Sequence, residues 1–172
     1  MRRVPILLSV VAVVLFGVLA VGRSLSTRAQ DATPAIAAVG VKTDVLGTGQ
    51  PDAAPGQALA GRRNTYEPGG FTPAHHHPGA LVVHIESGEL TYTVIEGSVQ
   101  VHRAATAGTP GPTEEVGAGQ ETVLRAGDWL FEQGVVHSVR NDGSVPTVVL
   151  VMALTAADQP FTVFHEMGTP VP

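Results

Sequence analysis

Gly127-Asp128-Trp129-Leu130-Phe131-Glu132-Gln133-Gly134-Val135-Val136-His137-Ser138-Val139-Arg140-Asn141 is the stretch on which the reading of the fold turns. It opens on a turn, Ala126-Gly127-Asp128. Two short runs rich in aromatic and β-branched residues follow, Trp129 to Glu132 and Val136 to Arg140, with Gly134 as a turn glycine between them. No 3.6-residue apolar period runs through it, so it reads as strand, turn and strand.

The same grammar extends in both directions. Upstream, Ala58 to Glu67 reads as a strand ending at Pro68-Gly69-Gly70, and Leu81 to Glu86 as another ending at Ser87-Gly88. Glu89 to Ile95 and Ser98 to Arg103 flank Glu96-Gly97, a hairpin-like turn. Val99 and Val101 share one face of their strand, with Ser98, Gln100 and His102 on the other, the alternation of a half-buried strand. Ala104 to Gly119 reads as a loop rich in Gly, Thr and Pro. Downstream come Glu121 to Leu124, Thr147 to Leu154 and Phe161 to Phe164, separated by turn residues. Many short strands at near-regular spacing, with no convincing helix after the leader, predict a sandwich or closed barrel.

Two histidine clusters punctuate these strands. Pro73-Ala74-His75-His76-His77-Pro78-Gly79 lies about sixty residues before His137. In a strand, residues i and i+2 point to one face, about 6.6 Å apart along the chain. His75 and His77 then face one way and His76 the other. Imidazole is the commonest metal ligand, and two such rings converge on one ion at about 2.0–2.1 Å each, with His137 closing the set from across the barrel. By the same parity His84 falls off the pocket face, as a packing residue. His102 belongs to a polar, solvated strand face, and His165 has no evident partner.

The chain is 172 residues long, 44% hydrophobic and 15% charged, enough apolar material for one domain core. With no cysteine it has neither a disulfide framework nor a thiolate metal site. Part of the hydrophobicity is a leader. Met1-Arg2-Arg3 precedes an uncharged run from Val4 to Gly22, which reads as an export signal or, at about 19 residues, as an uncleaved membrane anchor. The expected organisation is a signal peptide or anchor over 1–29, a linker over 30–56 with one short strand near Thr43 to Leu46, a barrel over 57–166 and a tail over 167–172. From residue 31 on, six basic residues face all fifteen acidic ones, a net charge of −9. That balance argues against nucleic acid or an anionic membrane surface as partner.

At this point the residues carry a resemblance. Gly70, His75 and His77, followed by a strand and Gly88, resemble the first motif of the cupin superfamily. Gly127-Asp128, Gly134, His137 and Asn141 resemble the second. The likeness spans roughly residues 58 to 155, one single-barrel cupin. It implies an all-β double-stranded β-helix, or jelly roll, preceded here by an apolar N-terminal helix and a flexible linker. It also implies a divalent metal held by two His and a Glu of the first motif and a His of the second. Carried over by position, the metal ligands are His75, His77 and His137.

Two positions depart from the pattern. The first motif's Glu falls at Leu81, and the second motif's Pro falls at Glu132, a stand-in acid at the pocket rim. Three neutral imidazoles leave an ion its full double charge, which favours anionic or chelating ligands. Three-His iron sites occur among cupin thiol and diketone dioxygenases, so the resemblance permits oxygen chemistry. The expectation is an exported cupin whose three-His site holds Fe, Mn, Zn, Ni or Cu and binds or transforms a small molecule. The alternatives are a non-catalytic binding module and a metal-free structural barrel. Catalytic residues are not evident, Glu132 being the one candidate base. A homodimer is implied by resemblance alone.

Overall fold

The computed structural model describes residues 37–165. The expected leader over 1–29, its apolar helix and the tail over 167–172 lie outside them. The described chain forms eleven strands: β1 (Val39–Gly49), β2 (Gln57–His76), β3 (Gly79–Ser87), β4 (Glu89–Glu96), β5 (Ser98–His102), β6 (Thr113–Gly117), β7 (Glu121–Arg125), β8 (Trp129–Gln133), β9 (Val136–Arg140), β10 (Thr147–Ala156) and β11 (Val163–Phe164). Among the described residues no helix is long and apolar enough to cross a membrane.

All pairings are antiparallel, in the order β6-β5-β8-β3-β10-β2-β9-β4-β7, with β1 and β11 also joined to β2. The sheet curls into a nearly closed barrel. Alternation drives the closure: Leu81, Val83 and Ile85 of β3, Val99 and Val101 of β5, and Val149, Val151 and Ala153 of β10 are buried in one core. Each fully buried aliphatic side chain of Val, Leu or Ile size contributes about 1.5–3 kcal/mol. Twisting the sheet on itself is how a single layer buries one whole face.

Five sequence expectations change here, the last of them at the bend of β2. Glu96-Gly97 does not join a hairpin. Gly97 has φ +84°, but β4 pairs with β7 and β9 while β5 pairs with β6 and β8. Both edges of each strand are occupied, so the glycine carries the chain across the barrel. The short strand expected near Thr43 to Leu46 within the 30–56 linker is present but longer, as β1, paired along β2 from Val39 to Gly49. The expected 104–119 loop contains β6, whose single inward residue, Val116, gives too short an alternation to recognise. The last strand, expected over Phe161 to Phe164, is only Val163–Phe164.

Pro68-Gly69-Gly70 does not end β2 but bends it. Up to Tyr66 the strand pairs with β10; from Phe71 it pairs with β9, while β1 follows it on the other edge as far as Phe71. Gly69 takes φ +78°, its N–H donates to the Asn141 carbonyl at 2.9 Å, and the Asn141 N–H donates to the Gly70 carbonyl at 2.8 Å. A Cβ on Gly70 would sit 2.7 Å from the carbonyl oxygens of Glu67 and Gly40, so no other residue fits. This corner delivers the histidine cluster to the barrel interior. After it, Gly79 starts β3 against β10, and its N–H donates to the His77 carbonyl at 2.8 Å. A Cβ there would strike the Leu154 carbonyl oxygen and the Thr155 backbone. Gly79→Ala is expected to lower unfolding stability by about 2–3 kcal/mol, read from urea denaturation, through overpacking against backbone. A cost below about 0.5 kcal/mol would contradict this packing.

Candidate metal centre

His75 lies near the end of β2, directly opposite His137 on β9, so the ladder itself brings the two clusters together. His77 follows one residue past the strand's end. The three imidazoles offer ligand atoms that all lie within 4.8 Å of one another. Ring centroids are 4.1 Å apart for His75 and His137, 5.0 Å for His75 and His77, and 5.7 Å for His77 and His137. The three residues predicted from sequence therefore meet in one pocket.

Their tautomers are set by backbone carbonyls. His75 Nδ1–H donates to the Pro73 carbonyl, and His77 Nδ1–H to the Phe161 carbonyl, each at 2.7 Å. A carbonyl only accepts, so each Nδ1 carries the hydrogen and each Nε2 presents a lone pair. That is the arrangement of a metal-ligating histidine fixed from behind. Burial, with the neighbouring His77, pulls the His75 imidazole down to about 4. Burial does the same to His77, also to about 4. His137 is held well below its ordinary value by burial and by the other two rings. All three are neutral, and so competent donors, at physiological pH.

Glu132 is not at the rim. It is 3% exposed, inside the pocket on β8. Its Oε1 lies 3.1 Å from His137 Nδ1 and 4.0 Å from His77 Nε2. Neither Oε1 nor His137 Nδ1 makes a hydrogen bond, although both are buried. The other oxygen, Oε2, accepts from the Tyr92 hydroxyl at 3.2 Å. Tyr92 also stacks on the His137 ring, centroids 4.7 Å apart and planes within 10°. It is thus a core residue with a second task of holding two pocket groups. Burial pushes the Glu132 carboxyl up to about 8.

The other motif residues are structural. Asp128 accepts from the N–H groups of Ala104 and Arg125 and from the Arg103 guanidinium, tying the end of β5 to the turn before β8. Asn141 bridges the carbonyls of Tyr66 and Val145 with its amide. His76 points away from the site, its Nδ1 2.7 Å from His165 Nε2. His84 is partly buried and off the pocket, as its parity predicts, and lies opposite Trp129. His102 is not freely solvated: it stacks on Trp129 at 3.8 Å.

A cavity of about 120 Å³ opens beside the histidines, lined also by Arg62, Leu81 and Phe161. The Arg62 guanidinium lies 3.6 Å over the Phe161 ring, its Nε is buried without a partner, and among the described residues no carboxylate pairs with it. Sequence reasoning missed Phe161 and Arg62, because neither lies in a motif.

A cupin family model matches residues 27–170. No curated protein sequence matches significantly. The structure is similar to a cupin 2 domain-containing protein from Halorhodospira halophila, with a TM-score of 0.48 and 16% identity over 74% of this chain and 72% of that one. It is similar to a cupin-2 domain protein from Rhodospirillum rubrum, with a TM-score of 0.42 and 16% identity over 76% and 68%. A variant of salicylate 1,2-dioxygenase from Pseudoaminobacter salicylatoxidans matches with a TM-score of 0.42 and 13% identity, over 66% of this chain but 26% of that one.

The site's protonation predicts a pH profile for the metal-free protein. From about 4 to 6.5 the unfolded chain holds more protons on His75 and His77 than the folded one, so their contribution to stability rises with pH. From 4.5 to about 8 the folded chain holds the extra proton, on Glu132, so that contribution falls as pH rises. Above 6.5 only the Glu132 contribution still changes. Glu132→Gln is expected to abolish the loss of stability between pH 6.5 and 8 while keeping the rise below 6.5. Denaturant titrations across pH 5 to 8.5 measure it; an undiminished fall in the variant would refute the assignment.

Proposed function

The chain belongs to the cupin family, and from that premise we propose that His75, His77 and His137 hold a divalent transition metal at which a small molecule is bound and transformed, in a dioxygenase-like reaction. The observation that carries this reading is the pair of backbone-fixed tautomers at His75 and His77, whose bare Nε2 atoms share the pocket with His137. An orphaned buried nitrogen on His137 fits the same group. Fe, Mn, Zn, Ni and Cu all suit imidazole donors. Once bound, such an ion supplies Lewis acidity and open positions for water, oxygen or a chelating substrate.

The chain's own residues do the rest. Arg62, stacked on Phe161 and free of any carboxylate partner among the described residues, suits an anionic substrate group entering the cavity. Leu81, Val83 and Val151 give that cavity an apolar wall that limits water. Tyr92 keeps Glu132 and the His137 ring in place.

The uncharged run Val4 to Gly22 supports a location outside the cytoplasm, cleaved or anchored. An outward row of apolar side chains supports a homodimer: Phe131 lies opposite Val82, which lies opposite Met152, at 48%, 41% and 49% exposure. Phe131→Glu is expected to convert the dimer to monomer in sedimentation with metal content unchanged.

Untagged full-length protein is expected to carry a stoichiometric transition metal by elemental analysis, and His137→Ala to lose it together with oxygen uptake on thiols, diketones or phenols. A folded protein that takes up none of the five metals would overturn the reading. Metal binding without turnover would leave a small-molecule or metal-binding module.

A further inference from the structure

The motif position that is Glu in cupins is Leu81 here, and it lies on β3 directly opposite Glu132 on β8. Residues directly opposite in an antiparallel pair project from the same face with Cβ atoms about 4.5–5.5 Å apart. Both side chains line the cavity, and both are almost fully buried. A carboxylate based on β8 therefore reaches the volume that one based on β3 would fill. We infer that the metal-binding carboxylate of this site has moved one strand sideways, from position 81 to Glu132, which serves as the fourth protein ligand. This assignment rests on the metal reading above.

Three observations favour a ligand over a structural acid. The buried structural acid of this barrel, Asp128, has both oxygens occupied by N–H donors. Glu132 has one oxygen held by Tyr92 and the other without any donor. That free oxygen stands 3.1 Å from the equally unpartnered His137 nitrogen, within reach of a hydrogen bond yet not aligned for one. Two ligand atoms about 2.1 Å from a shared ion, and at right angles to each other, lie about 3.0 Å apart. The pair thus has the spacing of neighbouring ligands of one ion. The electrostatics agree: three neutral imidazoles and one carboxylate reduce the ion's charge from +2 to +1, which lowers the penalty of burying it. Tyr92 then acts as the partner that orients the ligating carboxylate.

The test uses full-length protein stripped of metal and titrated with Co(II), followed by calorimetry and by the visible absorption of the bound ion. Glu132→Gln keeps the shape and the Tyr92 contact. It is expected to weaken Co(II) binding about tenfold or more and to change the absorption spectrum. The double variant Leu81→Glu with Glu132→Leu returns the carboxylate to β3, and is expected to bind Co(II) more tightly than Glu132→Gln. Circular dichroism confirms that each variant is folded. Unchanged affinity and spectrum in Glu132→Gln, with Co(II) binding lost in His137→Ala, would overturn the relocated ligand and leave the three-His site standing. Unchanged binding in His137→Ala would instead overturn the metal reading, and this inference with it.

Discussion

His75 and His137 face each other across the β2–β9 ladder, and the site depends on that register. Side chains alternate across a strand with a period of two. A slip of one residue would turn either histidine out of the barrel and bring a neighbour in. The ladder is anchored away from the site, at the corner where β2 changes partners, and one extra residue of β2 between Thr72 and His75 then sets His75, rather than Ala74, opposite His137. There Gly69 and Gly70 exchange backbone hydrogen bonds with Asn141, four residues past His137. Asn141 in turn holds the Tyr66 and Val145 carbonyls. The second cupin motif therefore supplies one pocket histidine and one clamp, and the clamp together with the β2 irregularity sets where that histidine lands.

Burying polar groups separates the structural residues from the chemical ones. A buried donor or acceptor without a partner costs about 1–3 kcal/mol. Asp128 and Asn141 are buried and satisfied, and hydrogen bonding from Arg125, Arg103 and Ala104 holds the Asp128 carboxyl below its ordinary range despite burial. The pocket behaves in the opposite way. His137 and Glu132 are left with unpartnered atoms a short distance apart. Such a deficit persists in a folded protein where the surrounding structure over-determines it, as the stacked Tyr92 and the flanking ladders do here.

Much of this was legible in sequence. Most strands from Leu81 onward, β6 excepted, announce themselves by alternation, and spacing alone places His75 and His77 on one face. Glu132 was legible too, and was undervalued: it shares parity with Leu130, which is fully buried, so it had to point inward. What could not be read is which strand would lie beside which. The pairing of Leu81 with Glu132 joins residues fifty-one positions apart. Gly97 resembles a hairpin turn because the residues of a tight turn and of a crossing between sheet halves are the same. The Phe161 carbonyl and Arg62 escaped because a backbone acceptor leaves no signature, and a lone arginine next to Arg63 reads as a surface charge.

The contact between His77 and Phe161 ties the site to the order in which the chain is made. The carbonyl that orients His77 lies 84 residues downstream of it. The short β11 that follows pairs back onto His75 and His76. A growing chain that has produced both histidine motifs still has His77 unoriented, because its backbone acceptor is not yet synthesised. The complete, oriented three-histidine pocket becomes a property of the finished barrel and not of its parts.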